Sequence, residues 1–498
     1  MLHVWRVLCG ATCLAAFALG AQEAHDHAAP EKLGAVSFPI TCKSGTQQQF
    51  DRAVALLHSF AYTAAEEAFE AVAKQDPRCA MAYWGMAMTH FHPLWEPTLP
   101  AATVSIGQGE VERAARIGSG SERERGYIQA LRFIYENAAT VPYRTRAMNY
   151  ERAMRGLAAA NPKDVEAQVF YALALLANAS PADKTHSRQK QAADVIEPLY
   201  RMYPQHPGMP HYLIHAYDNS EMAARGLPAA REYARIAPSA PHALHMPSHI
   251  YTRLGLWDDS ISSNIAARSA ARQQGDTREE LHAMDYLVYA YLQKGSDRDA
   301  AQVIDGLKEM PQLNSGDFTS GYAATAMPVR YAVERRQWSD AAGMANAGAG
   351  TPPQVAAIAV WARGLGLARS GRPEEAHKEA EELRRIAEQL GAVGNDYWAI
   401  QVKIMMREVM AWIAQAEKHP DEAVALMRKA ADEEDAIEKL PVTPGPIVPA
   451  REQLGDLLLA QGNAELASAA FKTALANAPG RRGALQGAAQ AALMSGQR

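Results

Sequence analysis

The chain has 498 residues and a formal net charge of -5, from 50 Lys and Arg against 55 Asp and Glu, so it has no basic excess and a dedicated nucleic-acid-binding protein is disfavoured. Hydrophobic residues make up 48% of the chain and charged residues 21%, which excludes wholesale disorder and allows a large core. The chain is rich in Ala, Leu, Glu and Gln, which favour helix, and its four cysteines are too few for a disulfide scaffold.

The first 21 residues have the pattern of a secretory signal peptide. Arg6 precedes an apolar stretch over 7–19, and the small residues Gly20 and Ala21 follow it. A membrane anchor is the alternative, but this stretch of about 13 residues is shorter than the roughly 20 that span a bilayer. We therefore predict an exported protein, periplasmic or secreted, with no integral membrane segment after cleavage.

Residues 22–45 are predicted to form a leader segment that contains Cys42. Cleavage of the signal peptide removes Cys9 and Cys13 and leaves Cys42 and Cys79. Because exported proteins form disulfides in an oxidising compartment, we predict a bond between these two cysteines. Two buried free thiols are the alternative.

The rest of the chain carries an internal repeat with a period of about 34 residues. At the C-terminal end, seven residues fall at the positions that distinguish the tetratricopeptide repeat: Leu454, Gly455, Leu458, Ala467, Phe471, Ala474 and Pro479. Further upstream the chain matches itself one period later in six pairs: Arg201 and Arg235, Pro204 and Pro238, Pro207 and Pro241, His211 and His245, His215 and His249, and Tyr217 and Tyr251. The sequence therefore resembles the tetratricopeptide-repeat (TPR) superfamily over nearly the whole mature chain.

This resemblance implies an all-α fold, a right-handed α-solenoid of stacked helix-turn-helix repeats. We assign residues 46–344 to an N-terminal array, which includes the His-rich repeats at 207–274, and residues 345–498 to a C-terminal array. The loops at 345–353 and 440–449 are interpreted as breaks in register. Segments such as FPITC (38–42), HYLIHAYD (211–218) and PHALHMPSHIYTRLGLW (241–257) look like exported bacterial TPR proteins, which supports export and implies no reaction.

Two His-x-x-x-His pairs stand out in the His-rich repeats. His211 and His215 form the first pair and His245 and His249 the second, and a spacing of four residues places both members of a pair on one helical face. The TPR resemblance implies that these positions line the concave surface of the solenoid. The two pairs are then expected to face one groove side by side.

Three hypotheses remain open for this cluster. In the first, His211, His215, His245 and His249 bind a divalent transition metal such as Zn, oriented by carboxylates such as Asp218 or Asp285. In the second, the cluster belongs to a pocket that contacts a protein or peptide, lined also by Tyr217, His242, Tyr251, Glu279 and Tyr286. In the third, the histidines form a hydrogen-bonded structural seam between repeats. Glu279 extends the histidine ladder into the following repeat, and it is also a candidate carboxylate ligand.

Pro247 lies between the two histidines of the second pair. A proline inside a helix removes a backbone donor and kinks the helix, which would re-aim His245 relative to His249. Alternatively, the helix begins at Pro247 and residues 241–246 form an extended entry.

The sequence contains none of the common catalytic signatures. There is no H-E-x-x-H, G-x-S-x-G, P-loop or haem-attachment motif, which lowers the expectation of an enzyme without excluding one. The sequence therefore favours an exported TPR solenoid that binds a protein or peptide in a His- and Tyr-lined concave groove. The alternative is a metal-binding or metal-dependent hydrolytic protein that uses the histidine cluster.

Overall fold

A computed structural model of the protein describes residues 31–94, 99–310, 313–348 and 350–496, and these residues contain helices and no strand. The first half of the chain forms fourteen α-helices: α1 Gln47–His58, α2 Tyr62–Gln75, α3 Ala80–Thr89, α4 Ala101–Ile117, α5 Glu122–Tyr135, α6 Tyr143–Ala160, α7 Val165–Ala177, α8 Ser187–Met202, α9 Gly208–Tyr217, α10 Ala223–Ile236, α11 Pro241–His245, α12 Pro247–Leu254, α13 Trp257–Gln274 and α14 Thr277–Lys294. The second half continues with α15 Asp297–Asp305, α16 Phe318–Glu334, α17 Trp338–Ala342, α18 Pro353–Arg369, α19 Pro373–Ala392, α20 Asp396–Ala416, α21 Pro420–Asp435, α22 Ala450–Ala460, α23 Ala464–Asn477 and α24 Arg482–Met494.

Successive helices pack against each other in pairs, and each pair packs against the next. The prediction of an all-α fold built from stacked helix pairs is therefore confirmed. Residues from Lys32 onward form one compact unit, and α16 of the proposed N-terminal array packs against α18 of the proposed C-terminal array.

The last repeat shows why its small residues are needed. Phe471 of α23 is fully buried between α22 and α24. A Cβ atom on Gly455 would lie 2.6 Å from the Phe471 ring, and one on Gly487 would lie 2.2 Å from it. Glycine at both positions lets the neighbouring helices approach the ring, as the TPR pattern predicts for Gly455.

Residues 32–45 of the leader segment pack against the repeats. Phe38 is fully buried, with its ring 5.4 Å from that of Phe50 and 5.5 Å from that of Trp84. The predicted disulfide between Cys42 and Cys79 is present and joins this segment to the start of α3. The signal peptide predicted at 1–21 lies outside the described residues. Among the helices of the described ranges, none is both long enough and apolar enough to cross a bilayer.

The helix that carries His245 and His249 is interrupted between α11 and α12, directly before Pro247. A new helix begins at this proline, as the second alternative predicts, and Met246 between the two helices has helical φ and ψ angles of -53° and -36°, so the backbone stays helical across the junction. Residues 241–245 form a short helix of their own and are not an extended entry. The break occurs because proline has no N–H to donate and fits the first position of a helix.

Residues 438–449, here called the crossing segment, connect α21 to α22 and pack against the first half of the chain. Val442 is 4% exposed and belongs to the hydrophobic core formed mainly by residues 33–250. The Glu438 N–H donates to the carbonyl of Pro181 at 2.8 Å, and Lys439 Nζ lies 2.7 Å from Asp218 Oδ2. The loop at 440–449 therefore does more than break the repeat register, because it brings part of the C-terminal half to the His-rich repeats.

A second return contact is made by the residues between α23 and α24. Trp257 Nε1 donates to the carbonyl of Gly480 at 3.1 Å, and the Arg482 N–H donates to Gln293 Oε1 at 3.0 Å. Gly255 has a φ of +69°, and a Cβ atom there would lie 2.6 Å from the Pro479 carbonyl oxygen, so this approach requires glycine. The array therefore curves tightly enough for its last repeat to reach α13 and α14.

A buried carboxyl group in α20, that of Glu408, is expected to make the free energy of unfolding depend on pH. Glu408 accepts a hydrogen bond from Trp361 Nε1 at 2.5 Å, and burial together with the charge of Glu434 raises the pKa of Glu408 well above its usual value. A carboxyl that stays protonated in the folded state stabilises the fold at low pH, and this contribution is lost as pH rises above the unfolded pKa. We expect Glu408→Gln to be more stable than the wild type by at least about 1.4 kcal/mol at pH 8 and similar to it at pH 4.5.

Urea denaturation at the two pH values measures this difference. Glu374→Gln, at an exposed position of α19, is the control and is expected to leave the pH dependence unchanged. Equal stability of Glu408→Gln and wild type at pH 8 would contradict the prediction.

Candidate metal centre

Six buried histidines from four helices meet in the centre of the first half of the chain. They are contributed by α9 (His211, His215), α11 (His242, His245), α12 (His249) and α14 (His282), and none is more than 9% exposed. They form two groups of three, in each of which one ligand atom per residue lies within 4.8 Å of the other two. The first group is His211, His215 and His242, and the second is His245, His249 and His282.

The structure therefore divides the four predicted metal ligands differently from the sequence hypothesis. His211 and His215 do not share one set with His245 and His249, and each pair is completed by a third histidine. His242, predicted to contact a peptide, completes the first pair, and His282 completes the second.

The second group has a fixed and unusual tautomeric state. His245 Nδ1 lies 2.6 Å from Asn264 Oδ1, and the Asn264 amide is oriented by its Nδ2, which donates to the Ser260 carbonyl at 2.8 Å. His249 Nδ1 lies 3.0 Å from Asp218 Oδ2. Both acceptors are oxygen atoms without a proton to give, so both histidines carry their proton on Nδ1.

Two lone pairs therefore face each other. The Nε2 atoms of His245 and His249 are 3.0 Å apart. Burial lowers the pKa of His245 well below its usual value and the pKa of His249 to about 4, so both rings are neutral at pH 7 and neither Nε2 has a proton to donate. Two imidazole nitrogens bound to one tetrahedral zinc ion would lie about 3.3 Å apart, close to the spacing seen here.

Asp218 keeps its negative charge next to this group. Burial opposes ionisation, but Lys439 Nζ at 2.7 Å and Arg253 Nε at 2.8 Å hold the pKa of Asp218 well below its usual range. The carboxylate thus orients His249, as the sequence hypothesis expects of Asp218. Asp285 does not orient a histidine of this group, because its Oδ1 faces Arg330 Nε at 3.8 Å.

The first group is oriented in a similar way. His211 Nδ1 lies 2.6 Å from the backbone carbonyl oxygen of His58, which can only accept a hydrogen bond, so His211 Nε2 carries a lone pair. His242 Nδ1 lies 3.1 Å from Glu279 Oε2. His215 Nε2 lies 3.1 Å from His211 Nε2, and the buried Nδ1 of His215 has no hydrogen-bond partner among the described residues.

A third buried cluster, His58, Glu166 and His206, differs because all its hydrogen bonds are satisfied. Glu166 accepts from His58 Nε2 at 2.7 Å and from His206 Nε2 at 2.9 Å. The Tyr212 hydroxyl lies 2.9 Å from His58 Nδ1, and the Gly208 N–H donates to His206 Nδ1 at 3.2 Å. No inward-facing lone pair remains here, so this cluster is a structural seam.

The five residues predicted to contact a ligand are divided between the centre and its surroundings. His242 and Glu279 contact each other, and the Tyr286 hydroxyl lies 3.4 Å from both ring nitrogens of His249. Tyr217 is buried and donates to Glu197, and Tyr251 is half-buried near Asp259 and Arg231. Four of the five are thus buried within the array and do not present an open groove.

A cleft leads from the surface to the edge of the first group. It encloses about 1350 Å³ together with its open mouth. Its lining includes Leu94, Tyr143, His215, Asp218 and Lys439. The centre is therefore covered by protein yet approachable by a small molecule at His215.

His282, Asn264 and Lys439 were not identified as site residues from the sequence. His282 lies 33 residues after His249, whereas the repeat offset of 34 falls on Ala283, so the repeat register gave no signal for it. Lys439 had no local signal either, because its contribution depends on how the crossing segment folds back.

No family model matches the chain, and no curated protein matches it. Solved structures of TPR proteins are similar to it in fold alone. Yeast Tom70 is 10% identical, over 89% of this chain and 88% of that one, with a TM-score of 0.33. The P58(IPK) TPR domain is 11% identical over 91% and 99% with a TM-score of 0.23, and a monomeric IFIT1 mutant with Gppp-AAAA is 11% identical over 91% and 98% with a TM-score of 0.38.

Proposed function

We propose that this chain is an exported metalloprotein that binds a late first-row transition metal, copper or zinc, through His245, His249 and His282. One observation carries the proposal: the Nε2 lone pairs of His245 and His249 face each other at 3.0 Å, because Asn264 and Asp218 hold the protons on the other ring nitrogens. Without a cation between them, these two lone pairs repel each other, and neither histidine can donate a hydrogen bond to the other.

The chemistry of the ligands favours copper or zinc. Imidazole nitrogen suits both metals, and the group includes no thiolate. Three imidazoles leave a fourth position of a tetrahedral ion open to water or a substrate, which is typical of reactive sites and not of structural ones. The cleft described above reaches Asp218, the hydrogen-bond partner of His249, and His215 of the first group.

Export is part of this proposal. It rests on the signal-peptide pattern of residues 1–21, and the disulfide between Cys42 and Cys79 supports it, because such bonds persist in oxidising compartments.

Binding of a protein or peptide stays a prediction. The chain has a helical-repeat fold, and TPR folds generally bind protein partners. The His and Tyr residues expected to line the groove are mostly buried, so a partner would have to use other surfaces.

Metal analysis of untagged protein tests the proposal. After loading with Cu(II) or Zn(II) and removal of excess metal, we expect the wild type to retain at least about one ion per chain. His249→Gln should lose that ion, because it removes a ligand of the group.

His206→Gln is the matched control, since it alters a buried histidine of the seam and leaves both three-histidine groups intact. It should retain metal like the wild type. Wild-type protein that retains no metal, or a His249→Gln variant that retains as much as the wild type, would overturn the proposal.

A further inference from the structure

We propose that His211, His215 and His242 bind a second metal ion, so that the six histidines form a dinuclear centre. This inference rests on the proposed function, because it extends the single-ion site at His245, His249 and His282. It assigns to the first group a role that a hydrogen-bonded seam does not require.

The first observation is the state of His215. Its ring is buried, its Nδ1 has no hydrogen-bond partner in the described part of the chain, and its Nε2 points at His211 Nε2. A buried polar atom without a partner costs free energy, and an imidazole that can use either nitrogen is free to offer Nε2 as a metal ligand. The protein orients this ring at the cleft and leaves its second nitrogen without a fixed acceptor.

The second observation is the orientation of the two rings beside it. His211 Nδ1–H donates to a backbone carbonyl, and His242 Nδ1 faces the Glu279 carboxylate. These are the outer partners that commonly fix the tautomer and the direction of a metal-bound histidine. Two of the three rings of the first group are therefore held by outer oxygen atoms, as His245 and His249 are in the second group.

The third observation is the proximity of the two groups. The ring centroids of His215 and His249 are 5.8 Å apart, and those of His242 and His245 are 5.9 Å apart. Within the second group the three distances between ring centroids are 4.2, 5.0 and 6.3 Å. The nearest rings of the two groups thus lie within the range found inside one group, and an ion in each group would have the other as a close neighbour, as in two-metal sites with a shared bridging ligand.

The charges around the centre are compatible with two divalent cations. Glu279 touches the first group and Asp218 the second, and each supplies a negative charge at the outer nitrogen of a histidine. Lys439 at Oδ2, the oxygen that also faces His249, and Arg253 at Oδ1 offset the charge of Asp218. Six imidazole nitrogen donors with no thiolate favour Cu(II), which imidazole ligands bind more tightly than Zn(II).

Copper stoichiometry and electron paramagnetic resonance test the proposal together. We expect Cu(II)-loaded wild type to hold about two ions per chain, and His215→Gln and His249→Gln to hold about one each. In the wild type a shared bridging ligand should couple the two Cu(II) spins, so the signal should account for much less than the copper present. Each variant should give a full mononuclear signal.

The outcomes separate this inference from the function on which it rests. About one ion in both the wild type and His215→Gln would overturn the dinuclear centre and leave the single-ion site standing. Wild-type protein that retains no copper ion would overturn both the dinuclear centre and the single-ion site. If His215→Gln fails to fold, the stoichiometry of the wild type and of His242→Gln decides, and His206→Gln should keep the wild-type value.

Discussion

Replacing Arg481 with methionine is expected to lower the free energy of unfolding by about 5 kcal/mol at pH 8, the upper end of what breaking a buried ion pair costs. Arg481 is fully buried between two carboxylates. Its Nη2 lies 3.0 Å from Glu334 Oε1, and its Nε lies 2.7 Å from Glu452 Oε2. It also donates to the Tyr289 hydroxyl at 3.0 Å. Methionine fills a similar volume but leaves two buried carboxylates without their cation.

The loss of unfolding free energy in Arg481→Met should be smaller at pH 5 than at pH 8. Burial already raises the pKa of Glu334 although Arg481 opposes this shift, so without the guanidinium its neutral form becomes easier still to reach. Protonation removes the unpaired charge, and the destabilisation therefore shrinks as pH falls. Urea denaturation at both pH values measures the effect.

Arg384→Met is the control, because Arg384 pairs with Glu381 and Glu388 on the exposed face of α19. Surface ion pairs contribute about 0–1 kcal/mol, so this variant should remain near the wild type. A similarly small effect for Arg481→Met would show that the contact between the last repeat and α14 does not stabilise the fold.

The repeated helices could be predicted from the sequence, whereas the return contacts could not. Gly455, Phe471 and Pro479 fall at fixed positions within one repeat, and their roles depend only on neighbouring helices. Arg481 meets Tyr289 far along the chain, and this contact depends on the curvature summed over several repeats. No local pattern specifies that curvature.

The candidate metal centre could be predicted only in part, because some of its features are local in the sequence and others depend on how the helices stack. The spacing of His211 and His215 within one helix is a local property, and the sequence revealed it. The division into two groups depends on how α9, α11, α12 and α14 stack, and on the break before Pro247. The orientation of each ring depends on a partner such as Asn264, which lies on another helix and resembles any other polar residue in the sequence.

The crossing segment covers part of the inner surface of the array beside the histidines. Lys439 reaches Asp218, and the Tyr286 hydroxyl donates to the Thr443 carbonyl at 3.2 Å. Part of the chain itself therefore occupies the space beside the histidines that an open TPR groove would offer to a peptide. This arrangement suits a covered centre that admits small molecules better than one that admits an extended chain.

Asn264→Leu is expected to weaken metal binding by about 10–100-fold, the range observed when the outer partner of a metal-bound histidine is removed. Asn264 is fully buried and its Oδ1 holds the proton of His245 on Nδ1. Leucine has a similar size but no acceptor, so His245 becomes free to carry its proton on Nε2. It can then donate to His249 Nε2, which lies 3.0 Å away.

The metal-free variant thereby gains the hydrogen bond that the wild-type tautomers forbid, and a metal ion must break it before binding. A competition titration of Cu(II) or Zn(II) against a chromophoric chelator measures the dissociation constant. Ser263→Ala is the matched control, because Ser263 lies next to Asn264 on α13 and its Oγ donates to the Leu244 carbonyl without touching a histidine. An unchanged dissociation constant in Asn264→Leu, or an equal loss in Ser263→Ala, would mean that the tautomer of His245 does not control the site.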